Sequence, residues 1–191
     1  MPRRVGLLGG SFNPAHDGHL HISKLALKML GLDEIWWLVS PQNPLKAEDD
    51  MAPLEKRLAS ARAVARHPRL KVTDIEGRIG TRHTALTLAR LQRRFPRTQF
   101  VWIMGADNLA QISRWHRWQE VFRQVPVAVF ARPTFELKAL AGKAARRFES
   151  HRIATGRAKN IAALKPPVWT FVTCRLNPAS STEIRAKKTV C

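Results

Sequence analysis

Residues 5–20 read VGLLGGSFNPAHDGHL, an apolar run followed by two glycines, a polar turn and the start of a helical pattern. The run at 5–10 predicts a buried strand, and leucines recur at helical spacing through 18–30 until Gly31, which predicts a helix. Glycines between a strand and a helix let backbone approach a ligand closely, and the free N–H groups that open a helix favour phosphate. The stretch therefore predicts a phosphate-binding strand–loop–helix unit.

The same alternation continues along the chain. Further strands are predicted at 34–40, 70–76, 99–105, 125–133 and 168–173. Helices are predicted at 54–66, 84–95, 118–124 and 136–149, with a short one opened by SSTEIRAKK near the end. Alternating strands and helices indicate an α/β fold, a doubly wound Rossmann-like parallel sheet flanked by helices, with ligands at the carboxyl ends of the strands. The length of 191 residues fits a single domain over 1–191.

The charge of the chain is strongly basic, with 33 Lys and Arg against 14 Asp and Glu and a net charge of +19. Such a field attracts polyanions, so nucleic acid, nucleotides and anionic membranes are all candidates, as is a basic surface without a dedicated partner. The basic segment 134–167 has two interpretations. It forms a solvated basic face, or it faces phosphate or a partner.

The compartment is predicted from composition. The chain lacks an apolar run of about 18 residues, so no membrane span is expected. The N-terminal MPRRVGLLGG resembles a signal peptide only briefly, because glycines interrupt its apolar stretch. Cys174 and Cys191 form no disulfide framework and no CxxC pair, which favours a reducing, cytoplasmic location.

His16 and His19 are the first candidate site residues. If the helix begins near Asp17 or Gly18, both imidazoles lie at its first turn and, neutral or protonated, can donate hydrogen bonds to phosphate oxygens. Gly18 between them leaves room for a nucleotide. Two alternatives remain at this point: zinc ligands, although no further ligand set is spaced nearby, and histidines that are merely exposed on a helix.

The segment SSTEIR at 180–185 is the second candidate. Ser180 and Glu183 fit a capping box, which is a purely structural interpretation. Hydroxyls, backbone amides and the Arg185 guanidinium together also make a cradle for an anion.

GGSFNPAHDGHL resembles the signature of the HxGH nucleotidyltransferase superfamily, and SSTEIR resembles the SSTxxR motif that accompanies it in adenylyltransferases. The resemblance implies that both histidines contact the phosphates of ATP and stabilise the transition state. The ATP-binding residues it implies are Gly9, Gly10, Ser11, Phe12, His16, Gly18, His19, Ser181, Thr182 and Arg185.

Three further segments, TRHTALTL at 81–88, MGADNLAQISRWHRW at 104–118 and VFARP at 129–133, resemble the nicotinate-nucleotide adenylyltransferases. The resemblance implies that backbone N–H groups of Thr84 and His116 bind the nicotinate carboxylate and that Trp115 stacks on the pyridine ring. It also implies that Asp107 lies near the ribose hydroxyls. The full mononucleotide-binding set is Asn13, Lys46, His83, Thr84, Gly105, Asp107, Trp115 and His116.

Lys46 is expected to reach the phosphates, and His16, His19, Lys46 and Arg185 form the implied catalytic set. Trp115 has a packed core aromatic as its alternative, and Asp107 a helix N-cap. The chain departs from the family at three positions, with His83 for a common tyrosine, Ser11 for threonine and Asn13 for aspartate.

The implied reaction transfers the AMP moiety of ATP to nicotinate mononucleotide. Mg²⁺ is the expected cofactor, held mainly by the phosphates, and no metal site built from protein side chains is expected. ATP and nicotinate mononucleotide are the expected partners, membranes and nucleic acid are not, and both a monomer and a homodimer remain open. The rivals are a related adenylyltransferase for pantetheine phosphate or for the amidated mononucleotide, and a basic RNA-binding protein that lost catalysis.

Overall fold

The computed structural model describes residues 2–41 and 51–173 together with Ser181 and Ile184, and every strand in these ranges joins one parallel sheet. The strands are β1 (Arg3–Gly10), β2 (Glu34–Val39), β3 (Leu70–Thr73), β4 (Thr98–Gly105), β5 (Val127–Phe130), β6 (Arg152–Ile153) and β7 (Trp169–Val172). Their order across the sheet is β3-β2-β1-β4-β5-β7-β6. This confirms the predicted α/β class.

Both faces of the sheet are buried. In β4, Phe100, Trp102 and Met104 point into one apolar cluster, whereas Val101 and Ile103 point into a second cluster on the opposite face. Because neighbouring strand residues alternate between faces, a strand without polar alternation must be covered on both sides. The continuous apolar run at 99–105 is therefore typical of a central strand.

Helices cover the two faces. They are α1 (Asp17–Met29), α2 (Leu54–Val64), α3 (Ile75–Arg78), α4 (Thr84–Arg94), α5 (Ala106–Gln111), α6 (Trp118–Gln124), α7 (Glu136–Leu140) and α8 (Lys143–Arg147). Between residues 51 and 173 the structure also has three 3₁₀ segments, Ile112–Arg114, Glu149–His151 and Thr155–Ala163. Ile22 and Ala26 of α1 pack in one cluster and Leu88 and Leu91 of α4 in the other, as a doubly wound sheet requires.

The structure corrects two predicted elements. The strand predicted at 70–76 ends at Thr73, because Asp74 leads into the short helix α3. The helix predicted at 136–149 is two short helices, α7 and α8, separated at Gly142, whose extended backbone caps α8. The chain after it contains the short edge strand β6 between two 3₁₀ segments.

The order of the strands reverses between β1 and β4. Strands β2 and β3 lie on one side of β1, and β5, β7 and β6 lie beyond β4 on the other. In such sheets the crevice outside the carboxyl ends of the two central strands is where ligands bind. Those ends are Gly10 and Gly105, each the second residue of one of the predicted motifs. Within the described ranges, no helix is long and apolar enough to cross a membrane.

Candidate active site

The histidine pair lies at the N-terminus of α1, where the loop from β1 ends. His16 is the N-cap, with extended backbone, and its Nδ1 accepts a hydrogen bond from the Gly18 N–H at 3.1 Å. The Nδ1 of His19 in turn accepts from the His16 N–H at 3.2 Å. The predicted start of the helix near Asp17 is thus confirmed, and the imidazoles perform the capping that Ser, Thr, Asp or Asn usually performs.

These two bonds fix the tautomers. A neutral imidazole carries one N–H, so a ring whose Nδ1 accepts a hydrogen bond must carry its proton on Nε2. The two rings lie 3.9 Å apart between centroids. His16 and His19 therefore each retain one Nε2–H donor beside the first turn of a helix, whose own N–H groups favour an anion.

Both histidines are neutral at pH 7. Burial, followed by the charge of Arg132, lowers the pKa of His16 to about 4, with Asp17 acting weakly in the opposite direction. Burial also lowers the pKa of His19 well below its ordinary value, and the neighbouring His16 and Arg132 lower it further. Of the two protonation states the sequence left open, the structure favours the neutral one.

Two aromatic side chains, Phe12 and Trp37, pack beside His19. The Phe12 side chain is 1% exposed and stacks on Trp37 with ring centroids 5.1 Å apart and an interplanar angle of 14°. It also contacts the His19 ring at 4.8 Å between centroids. Phe12 was predicted to bind ATP, and because its side chain is buried, only its backbone is placed to do so. Its side chain supports His19 instead.

The C-terminal motif meets this loop. The hydroxyl of Ser181 donates a hydrogen bond to the carbonyl of Pro14 at 2.9 Å, between residues 167 positions apart. Ser181 and Ile184 are helical, which accords with the short helix predicted there. The predicted phosphate contacts Lys46, Thr182 and Arg185 lie outside the described residues.

Asp107 lies on the other side of the crevice, in the first turn of α5. Its Oδ1 lies 3.5 Å from Nε of Arg132 and is buried without a hydrogen-bond partner among the described residues. The N-cap alternative is wrong, since Gly105 is the N-cap and Asp107 caps nothing. A Cβ on Gly105 would lie 2.3 Å from that Oδ1, so only glycine leaves room for the carboxylate.

Two residues predicted to bind the mononucleotide, His83 and His116, lie close together. His83 is the extended N-cap residue of α4, and its carbonyl accepts from the N–H groups of Leu86 and Thr87, so Thr84 is the first residue of the helix. The His83 ring lies 4.7 Å from the ring of His116, between centroids. Burial, then His116 and Arg82, lowers the pKa of His83.

Trp115 is half-buried at the edge of the core. Its ring lies 6.4 Å from that of Trp102, at an interplanar angle of 86°. Trp102 in turn fills the space beside Gly9, where any Cβ would lie 2.4 Å from its ring. Trp102 thus lies between the carboxyl end of β1 and Trp115, the tryptophan predicted to stack on the pyridine ring. Trp115 packs against the apolar cluster that contains Trp102 and Trp118, so its position is compatible both with the core alternative and with a ring that is partly available to a ligand.

Two arginines of the site, Arg57 and Arg132, were not among the residues predicted to form it. Arg132 lies within VFARP, but nothing local showed that it faces Asp107. Arg57 carried a usable signal, because it lies on the same face of α2 as Leu54, Leu58 and Ala61, at helical spacing. An arginine on a buried helical face needs acceptors, and here it has four backbone carbonyls.

The cytidylyltransferase-like family model matches residues 7–187, and the chain belongs to that family. Within it, the chain is 55% identical over 182 residues to the "Probable nicotinate-nucleotide adenylyltransferase" of Cereibacter sphaeroides, covering 95% of this chain and 96% of the relative. The similarly named protein of Parvibaculum lavamentivorans is 50% identical, with 96% and 92% covered.

A solved structure agrees in fold. The nicotinic acid mononucleotide adenylyltransferase of Plasmodium falciparum, complexed with NaAD, matches with a TM-score of 0.72 and 16% identity, over 96% of this chain and 83% of that one. At that identity the likeness speaks for the fold, and it agrees with the Rossmann-like sheet described above.

Proposed function

We propose that this chain transfers the AMP moiety of ATP to nicotinate mononucleotide, giving nicotinate adenine dinucleotide and pyrophosphate in NAD biosynthesis. The observation that carries the proposal is the pair His16 and His19, two neutral imidazoles anchored through Nδ1 at a helix N-terminus in the crevice of the sheet. The names of relatives at 50% and 55% identity support the choice of acceptor.

The chemistry needs no strong general base, because the nucleophile is the ionised 5′-phosphate of the mononucleotide. One of its oxygens attacks the α-phosphorus of ATP in line and forms the new P–O bond. The bond from that phosphorus to the oxygen bridging to the β-phosphate breaks, and pyrophosphate leaves with the electron pair. Catalysis is then mainly positioning and stabilisation of negative charge.

Neutral N–H donors suit this reaction. Negative charge grows on the oxygens around the α-phosphorus in the transition state, and donors already aimed at that point lower the barrier without reorganising. We assign this role to the Nε2–H groups of His16 and His19. In our proposal Lys46, Ser181, Thr182 and Arg185 bind the remaining phosphate oxygens.

Mg²⁺ enters in this proposal as part of the MgATP substrate, and it neutralises charge on the leaving phosphates. Among residues 2–41, 51–173, 181 and 184, no group of three or more His, Cys, Asp or Glu side chains is arranged to enclose a metal ion. We place the reaction in the cytoplasm, in keeping with the sparse cysteines.

On the acceptor side, we propose that the nicotinate carboxylate binds backbone N–H groups of Thr84 and His116 while Trp115 stacks on the ring. The N-terminal position of Thr84 in α4 supports this, because its N–H lies where a helix has no internal acceptor to offer. The half-burial of Trp115 leaves part of its ring available for stacking. Asp107 is proposed to accept hydrogen bonds from the ribose hydroxyls.

The test uses ATP labelled at the α-phosphate and three acceptors in parallel: nicotinate mononucleotide, nicotinamide mononucleotide and pantetheine phosphate. The expected outcome is label in nicotinate adenine dinucleotide, with one pyrophosphate released per dinucleotide. Label in a pantetheine product would replace the proposal with that rival. RNA bound tightly, with no pyrophosphate released from any acceptor, would favour the RNA-binding rival that the net charge of +19 suggests.

A further inference from the structure

Arg57 is a buried cation at the junction of three chain segments. It belongs to α2, is 2% exposed, and donates through all three of its guanidinium nitrogens. Nη1 donates to the carbonyls of Ser11 at 2.9 Å and Ser40 at 2.6 Å. Nη2 donates to Pro41 at 3.0 Å, and Nε to Ala52 at 2.8 Å.

These acceptors belong to the loop after β1, the end of β2 and the start of α2. The same segments are also joined directly, because the Ser40 N–H donates to the Gly10 carbonyl at 3.0 Å and the Ala52 N–H to Oδ1 of Asn13 at 3.3 Å. The guanidinium thus holds the backbone of the loop that runs from Gly10 to the N-cap of α1. That loop leads directly to His16.

The chemistry of arginine explains why this position needs it. Its planar fork reaches several acceptors in fixed directions, whereas a lysine ammonium is a compact point charge on a flexible stem. Burial lowers the pKa of Arg57, but a guanidinium still remains charged at neutral pH. Every bond it donates is therefore charge-assisted and stronger than a neutral one.

We propose that Arg57 is a positioning residue for nucleotidyl transfer, which holds the Ser11–Asn13 loop so that His16 and His19 are aimed at the reacting phosphate. It touches no substrate and acts through backbone carbonyls. The inference rests on the proposed function, since it assigns Arg57 to the same transfer reaction.

Steady-state kinetics of Arg57→Lys tests this, with Arg62→Lys on the exposed face of the same helix as the matched control. Both are assayed with ATP and nicotinate mononucleotide well below their unfolding temperatures, and rates are normalised to the folded fraction. We expect kcat of Arg57→Lys to fall about 10- to 100-fold, as small misplacements of catalytic groups do. We expect KM for the mononucleotide to change less than kcat, because Thr84, Trp115 and His116, which are predicted to bind its pyridine ring, lie outside the Ser11–Asn13 loop.

Chemical rescue provides a second measurement. In Arg57→Ala, millimolar guanidinium ion is expected to restore part of kcat, and sodium ion at equal ionic strength is not. A folded Arg57→Lys with wild-type kcat overturns the proposal, and so does an Arg57→Lys that fails to fold, since the residue would then serve the fold as a whole. A wild-type protein that transfers nothing to nicotinate mononucleotide counts instead against the proposed function.

Discussion

The hydroxyl of Ser181 donates a hydrogen bond to the carbonyl of Pro14, joining the last described residues of the chain to the loop before α1. The two motifs, which lie near opposite ends of the sequence, therefore meet beside the loop that follows the central strand β1. A site built from two such distant segments depends on the contacts between them.

Ser181→Ala removes that contact. A hydrogen bond of this kind contributes about 0.5–1.5 kcal/mol, so we expect KM for ATP to rise roughly two- to tenfold, with a smaller change in KM for the mononucleotide. The matched control is Ser150→Ala, because Ser150 is exposed and its hydroxyl lies 3.1 Å from Nδ1 of the neighbouring His151. Equal kinetics for the two variants would mean that the Ser181 contact does not hold the ATP site.

His19→Ala removes one proposed donor. Loss of a donor aimed at developing negative charge costs about 10²–10³ in kcat, and we expect that loss here with the secondary structure retained by circular dichroism. The control is His67→Ala, because the Nδ1 of His67 also accepts a backbone N–H, from Arg69, away from the crevice. Near-normal turnover in His19→Ala would remove His19 from the mechanism.

The histidine pair also makes stability depend on pH. The pKa of His16 is about 4 when folded, against an ordinary 6.5, so the unfolded chain takes up a proton first as pH falls. The stabilising contribution is complete above pH 6.5 and is lost progressively as pH falls from 6.5 towards 4. Protonation of Nδ1 would also remove the acceptor for the Gly18 N–H.

Urea unfolding at about pH 7.5 and about pH 5, on either side of the ordinary histidine pKa, measures this loss. We expect the free energy of unfolding to drop between the two values, and to drop less in His16→Asn, which keeps a good N-cap without a titrating group. An identical drop in both proteins would show that His16 does not carry the dependence.

Gly105→Ala places a methyl group where the Asp107 carboxylate now lies, 2.3 Å from its Oδ1. We expect the carboxylate to move, kcat/KM for the mononucleotide to fall, and stability to decrease by about 1–3 kcal/mol. In Gly156→Ala the new methyl group meets nothing within 4 Å, so that variant should behave as the wild type. Unchanged kcat/KM in Gly105→Ala would count against the proposed role of Asp107.

Trp115→Ala tests the proposed stacking. Stacked aromatic rings contribute beyond simple burial, so KM for the mononucleotide should rise well beyond any change in KM for ATP. Trp115→Phe keeps a flat apolar face and should recover most of the loss. If KM for the mononucleotide is unchanged in Trp115→Ala, Trp115 is only a core residue.

Much of this architecture could be predicted from local pattern. The apolar runs at 5–10 and 99–105 identified the two central strands, because a strand buried on both faces has no polar alternation. The spacing of His16 and His19 placed both rings at one helix turn. Local pattern could not show which ring nitrogen is engaged, because that depends on where the backbone of the loop turns.

Other features depend on contacts between distant segments. The β6 strand has only two residues, too few for any periodicity, and exists because β7 pairs with it. The pattern at 136–149 predicts one helix and not the break at Gly142, because a single glycine is tolerated in many helices. The contact of Arg132 with Asp107 depends on the order of the strands, and so do the acceptors of Arg57, although the helical spacing of Arg57 with Leu54, Leu58 and Ala61 already predicts its burial.

The most direct test of the central claim is the rate of pyrophosphate release from ATP with nicotinate mononucleotide compared with nicotinamide mononucleotide. We predict a higher kcat/KM for the nicotinate form, because backbone N–H groups of Thr84 and His116 are proposed to bind its carboxylate. A preference for the amide, or no pyrophosphate release with either nucleotide, would contradict the account.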